Sequence, residues 1–369
     1  MLKSFLLASA LAMAGAATAQ DTADPVKAAY HDYVVARDKG DLSAAEAAGA
    51  RALAASEARD GAGASTAVLA LNLAMVRLDL KHYAEAVAPA RRAVELANAG
   101  AKGVDPVQAG LTLAEAELTA NPKGDESAAA NALQAADIRM DLDDFAYPAA
   151  VALAKAAVQT HQWRNEVSAW SAAAVHARGA HSDTDMVRGR ALTQEAIAFT
   201  NLRQFDEAHA RIGEALPLLA KYAPESGDYD KVTIGEFFLA DAIALDRAIN
   251  VLEPRYSRDD GGKRRYVRKD LAGSPAVCGG RVEPHPMPTY PDRSQREGEI
   301  GAVVLRLKID ASGKVIALKA LSTVINPDFR KAVEDPKLRW SWSPDTNKNP
   351  GCRVETQDLW VPVVFSFSG

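Results

Sequence analysis

Three short stretches of this chain share one spacing, and that spacing leaves few folds open. A large apolar residue is followed by alanine three positions on and by a second alanine seven further. The triplets are Leu42, Ala45 and Ala52; Tyr83, Ala86 and Ala93; and Phe205, Ala208 and Ala215. Steps of three and seven return a side chain to the same face of an α-helix, so each triplet marks one buried stripe. Two alanines on that stripe let a second helix approach closely, and the large residue plugs the gap at the turn. Trp163 opens a weaker copy with Glu166 at the first alanine position, and in residues 124–137 only the alanine rhythm remains. The anchors at 42, 83, 163 and 205 imply a unit of about 41 residues, with one degenerate copy in the double step. About five helical pairs are expected between residues 25 and 250.

Residues 66–97 show one such pair in full. Leu73, Val76 and Leu80 form one apolar stripe, and Tyr83, Ala86, Ala90, Ala93 and Val94 form the next. These positions resemble the tetratricopeptide repeat, although the period here exceeds that family's usual length of about 34 residues. The resemblance implies a helical solenoid whose inner face holds an extended peptide or a partner's surface. Inner-face positions carried over from the repeat fall on Lys27, His31 and Arg37, on Asn72, and on Arg190, Gln194 and Asn201. Met75 and Leu78 share that register and would make part of the groove apolar. The same polar residues also suit an ordinary solvated helix face, and the sequence leaves both readings open.

Beyond residue 250 the helical rhythm stops. Residues 251–284 read as a linker, with Gly261-Gly262, Gly279-Gly280, scattered prolines and a basic cluster diluted by aspartates. From Ile300 the chain alternates. Val303, Leu305, Leu307 and Ile309 point one way; Ala302, Val304, Arg306 and Lys308 point the other. Asp310-Ala311-Ser312-Gly313 supplies a turn and residues 314–324 a second strand. Residues 326–340 open with an Asn-Pro start signal and carry Phe329, Ala332, Val333 and Leu338 at helical spacing, and 358–367 read as a third strand. With a short helix at 292–298, residues 285–369 are expected to form a small α+β domain. It would have a three-stranded antiparallel sheet and two short helices, following a mainly α array.

This C-terminal segment resembles the C-terminal domain of the TonB energy-transducer family. The resemblance rests on Tyr290-Pro291, Gly298 and Gly301, Asp310 with Gly313, Trp340-Ser341-Trp342-Ser343-Pro344, and the closing Val361-Pro362-Val363-Val364-Phe365. It implies a last strand at a sheet edge that accepts a strand from a partner. The candidates are Leu359, Trp360, Val361, Val363, Val364 and Phe365, with Pro362 interrupting the ladder. Trp340, Trp342 and Trp360 are expected in the core. The resemblance also implies protein partners in the cell envelope, a TonB-dependent receptor among them. A TonB protein keeps a membrane anchor and a proline-rich spacer, whereas this chain carries a helical array, so energy transduction does not carry over intact.

The first 19 residues follow the secretory pattern. Lys3 is followed by an apolar stretch from Phe5 to Ala16, then by Ala17-Thr18-Ala19 as a cleavage site. That stretch is shorter than the roughly 20 residues a bilayer requires, so export to the periplasm and no membrane span are expected. Cys278 and Cys352, the two cysteines of the chain, are expected to form a disulfide in an oxidising compartment, with two free thiols as the alternative. A net charge of −5 gives no case for nucleic acid. The seven histidines are dispersed, and no nucleophile elbow, phosphate-binding glycine loop or HExxH motif occurs. An interaction protein without enzymatic activity, metal or cofactor is therefore expected. A structural protein holding peptidoglycan or an outer-membrane component is the alternative, and a third reading makes the C-terminal module a folded cap on the array.

Overall fold

The computed structural model describes residues 24–223, 232–256, 280–297, 301–310, 314–324, 327–344 and 359–365. They fall into two compact bodies, one ending at Asn165 and one starting at Glu166. The proposed signal segment, Cys278 and Cys352 lie outside the described residues.

The first body contains α1 (Pro25–Asp38), α2 (Leu42–Asp60), α3 (Ala64–Asp79), α4 (Tyr83–Asn98), α5 (Pro106–Ala120), α6 (Ser127–Ala136) and α7 (Asp143–Thr160). Leu42 and Tyr83 each begin the second helix of a pair, and Ala45, Ala52, Ala86 and Ala93 are completely buried. In the degenerate copy α6 buries Ala129 and Ala136 at the same spacing, with Glu126 at the anchor position. The anchor's bulk is replaced there by hydrogen bonds, because the Glu126 carboxylate accepts from Thr160 Oγ1 and from Asn165 Nδ2. Asp24, Asp41 and Asp105 accept backbone N–H groups at the starts of α1, α2 and α5, meeting donors that have no partner within the helix.

In the second body α8 (Trp163–Val175), which begins just before the boundary, is followed by α9 (Thr184–Asn201), α10 (Phe205–Leu219) and α11 (Ile234–Tyr256). Phe205 opens α10 and buries Ala208 and Ala215 against its neighbours, as the spacing requires. Two residues before each of the four anchors the backbone turns left-handed, at Gly40, Lys81, His161 and Arg203. One turn geometry therefore serves four different sequences. α11 packs on α9 and α10 as the first helix of a further pair would, and it runs to Tyr256, into the segment read as linker.

The rest of the second body is β1 (Gly280–His285), α12 (Asp292–Glu297), β2 (Gly301–Ile309), β3 (Val315–Val324), α13 (Asp328–Val333), β4 (Arg339–Pro344) and β5 (Leu359–Phe365). The main sheet is antiparallel with strand order β3-β2-β5, and the two short helices accompany it as expected. A two-stranded ribbon, β1 with β4, adds to the expected three strands. β1 arises inside the supposed linker as one side of an antiparallel ladder, in which Val282 stands opposite Trp342 in register.

One face of the sheet makes a core from Val303, Leu305, Leu307, Ala320, Val361 and Phe365, packed against Phe329, Val333, Leu338 and Trp340. Each large apolar side chain buried there contributes about 1.5–3 kcal/mol. The ring of Phe329 lies on Gly301, where an added Cβ would sit 2.3 Å from Phe329 Cδ2. The opposite face differs from what alternation alone suggests. Ala302, Val304, Arg306, Ser322 and Trp360 are all buried, because α11 lies over β2, β3 and β5. Of the four residues placed on that face of β2, only Lys308, near its end, is exposed.

Candidate functional site

The sheet has two edges, and they are finished differently. At β5 the register with β2 runs unbroken from Gly301 opposite Phe365 to Leu307 opposite Leu359. Among the described residues β5 pairs with β2 alone, which leaves the outer side of its backbone unpaired. Such a side is a template for another strand. Pro362 has no N–H, so it removes one donor from the middle of that strand.

At β3 the edge is occupied. The Ala320 N–H donates to Glu334 Oε1 at 3.3 Å, and its carbonyl accepts from Arg330 Nη2 at 2.6 Å. Ile316 and Leu321 are extra residues in the β3 ladder and interrupt its register against β2. Near its start β3 is also approached by β4, through a bridge between Lys314 and Ser341.

The side chains of the candidate edge strand turn mostly inward. Trp360 faces α11 and is fully buried, with its indole Nε1 lacking a hydrogen-bond partner. Val361 and Phe365 belong to the sheet core, where Phe365 meets Phe329 and Tyr290 with ring centroids 4.8 and 5.8 Å away. Val363 and Val364 are half-buried, and Leu359 is described in its backbone only. The edge thus offers its backbone and two partly open valines, while the aromatic side chains hold it in place.

Behind the strand, α11 is attached to the sheet by polar contacts. Arg306 on β2 and Glu236 on α11 approach to 3.6 Å, with side chains 1% and 6% exposed. Ser322 on β3 donates to Asp241 on α11, a carboxyl that burial holds above its usual range against the opposing pull of Ser322 and Arg190. Arg190 also lies over the ring of Phe238, 4.9 Å from its centroid.

The repeat-groove candidates separate between the two bodies. Lys27 and His31 are exposed on α1 and Asn72 is half-buried on α3, all in the first. Arg190 and Asn201 are exposed on α9 and Gln194 is half-buried there, in the second. Arg37 is engaged with Asp79 at 2.6 Å, and Met75 is partly buried against the apolar cluster that includes Ala67, Ala93 and Ala97. A residue the pattern does not reveal is Glu115 on α5. Its carboxyl is pushed up to about 7, by burial first and by the charge of Asp79 second. Nothing in the spacing marks Glu115, Glu236 or Asp241, because a helical stripe does not show what will cover it. Among the described residues no group of His, Cys, Asp and Glu side chains is placed to hold a metal ion.

Residues 286–367 match the family model of the Gram-negative bacterial TonB protein C-terminal domain. No curated protein matches the chain. Domains of that family are periplasmic, non-enzymatic modules that mediate protein interactions in the envelope. The helices before residue 286 lie outside the match, and no described helix is long and apolar enough to cross a membrane.

Proposed function

We propose that this chain is an exported periplasmic interaction protein whose C-terminal sheet takes up an extended segment of an envelope protein along β5. The observation that supports this most is the contrast between edges. β3 is closed by side chains and bulges, whereas β5 has an unbroken register and a single neighbour among the described residues. A segment of a TonB-dependent receptor is the partner the family match favours. The polar positions Lys27, His31, Asn72, Arg190, Gln194 and Asn201, four exposed and Asn72 and Gln194 half-buried, are proposed as secondary contacts on the helices. The signal segment and the Cys278–Cys352 disulfide belong to the same reading, since both follow from export.

The test is a photo-crosslinking residue at Val364, with Ile316 on β3 as the control position, in intact cells. Adducts to an extended segment of an envelope protein are expected from Val364 and not from Ile316. Folded, exported protein that yields no adduct at Val364 would defeat the proposal.

A capping role accompanies this one and uses a different surface. The face of the sheet covers α11, where a second helix of the pair would otherwise lie, while the edge remains for a partner. Pull-down on purified peptidoglycan distinguishes the structural alternative.

A further inference from the structure

We infer that α13 carries a lock on the β3 edge, so that the sheet accepts one strand and excludes a second copy of this chain. The inference rests on the reading of β5 as the acceptor.

A three-stranded sheet has two edges, and an open edge pairs with whatever extended backbone it meets. If both edges were open, a sheet holding a partner at β5 would still recruit another chain at β3. The geometry at Ala320 prevents this. A residue at an edge presents one N–H and one C=O, and an incoming strand would satisfy both. Here Glu334 accepts the N–H and Arg330 fills the C=O, which reproduces with two side chains what a strand residue would offer. The two side chains are four residues apart, and Arg330 Nε lies 3.3 Å from Glu334 Oε1, so they act as one clasp.

The bulges reinforce the clasp. Ile316 and Leu321 each add a residue to β3, which breaks the two-residue period an added strand must follow. Ile316 is 56% exposed despite its size, and it is the apolar contact that edge pairing between copies would cover. No such clasp faces β5 among the described residues, so the two edges differ in chemistry as well as position.

The experiment compares the full chain with Arg330→Ala/Glu334→Ala, each carrying a photo-crosslinking residue at Ile316. The double variant is expected to keep its circular dichroism spectrum, to gain mass with concentration in sedimentation velocity, and to crosslink from Ile316 to a second copy. In dilute protein its Ala320 amide should exchange about five- to tenfold faster, as expected for loss of one hydrogen bond. The unsubstituted chain should show neither the crosslink nor the mass gain. Glu334→Gln keeps an acceptor and should behave like the unsubstituted chain. If the double variant does not fold, Arg330→Ala alone frees the carbonyl and gives the same readout. A folded variant that keeps its mass and gives no Ile316 crosslink overturns the lock. A missing adduct at Val364, with the Ile316 crosslink still present in the variant, would instead count against the β5 acceptor.

Discussion

Arg306→Met is expected to be among the most damaging single changes in the second body. The Arg306 and Glu236 side chains are 1% and 6% exposed, so water does little to screen either charge. Their 3.6 Å separation makes the pair's net contribution modest, because much of the attraction only offsets desolvation. Removing one member differs from removing both. Without the guanidinium, the Glu236 carboxyl is left buried under the sheet, with the bond from the Thr233 N–H as partial compensation. Breaking a buried pair in this way costs about 3–5 kcal/mol, and the Thr233 bond favours the lower end. In a body of this size each kcal/mol moves the melting temperature by about 2–4 °C, so a loss of roughly 6–12 °C follows at the lower end. Urea unfolding followed by circular dichroism measures the change, with hydrogen exchange at Trp360–Phe365 reporting whether β5 loosens. Arg306→Met/Glu236→Leu should recover most of the loss, since neither charge then needs desolvating. A loss below about 1 kcal/mol, the range of exposed pairs, would show that α11 does not rest on the sheet in solution.

Gly301→Ala should destabilise the module by about 1–3 kcal/mol, because Phe329 must move away from the new methyl group; an unchanged melting temperature would contradict the packing. Glu115 has a folded pKa raised from 4.5 to about 7, so the native state holds a proton that the unfolded chain releases over that interval. Its cost is absent below about 4.5 and grows as pH rises through 7, and Glu115→Gln should stabilise the first body at pH 8 but hardly at pH 4.5. Urea titrations at the two pH values check the sign. Lys81→Gly and Arg203→Gly relieve left-handed backbone at φ 63° and 61°, and each should gain up to about 1 kcal/mol after the entropy of glycine is subtracted. A loss of stability in either variant would mean that the side chain contributes more than its backbone strain costs.

The helical array is the most legible part of the sequence. Leu42, Tyr83, Trp163 and Phe205 each open a helix, because alanine spacing states directly where backbones must approach. The strand alternation at residues 302–308 likewise fixed which side chains share a face. What alternation does not carry is the identity of the layer on the polar face. Alternation places Arg306 on the face opposite Val303, Leu305 and Leu307 but not what covers it; it is buried because its cover comes from α11, some 70 residues earlier. β1 was hidden for a similar reason, since a short strand beside glycines and prolines becomes visible only through its partner β4. At the edge strand, pattern and resemblance located β5, but not the clasp that distinguishes it from β3. Arg330 and Glu334 look like any surface pair until the Ala320 backbone is placed between them.

The helix beneath the sheet also sets how this module can be moved. Similarity is detectable from residue 286 onward, yet the smallest portable piece is larger than that. A fragment cut at the limit of similarity would bring Arg306, Ser322 and Trp360 into water, whereas one beginning at residue 232 would retain their lid. Grafting this strand acceptor onto another scaffold therefore requires a host helix with carboxylates at the places of Glu236 and Asp241. The repeats before α9, by contrast, can be lengthened or shortened without altering that joint.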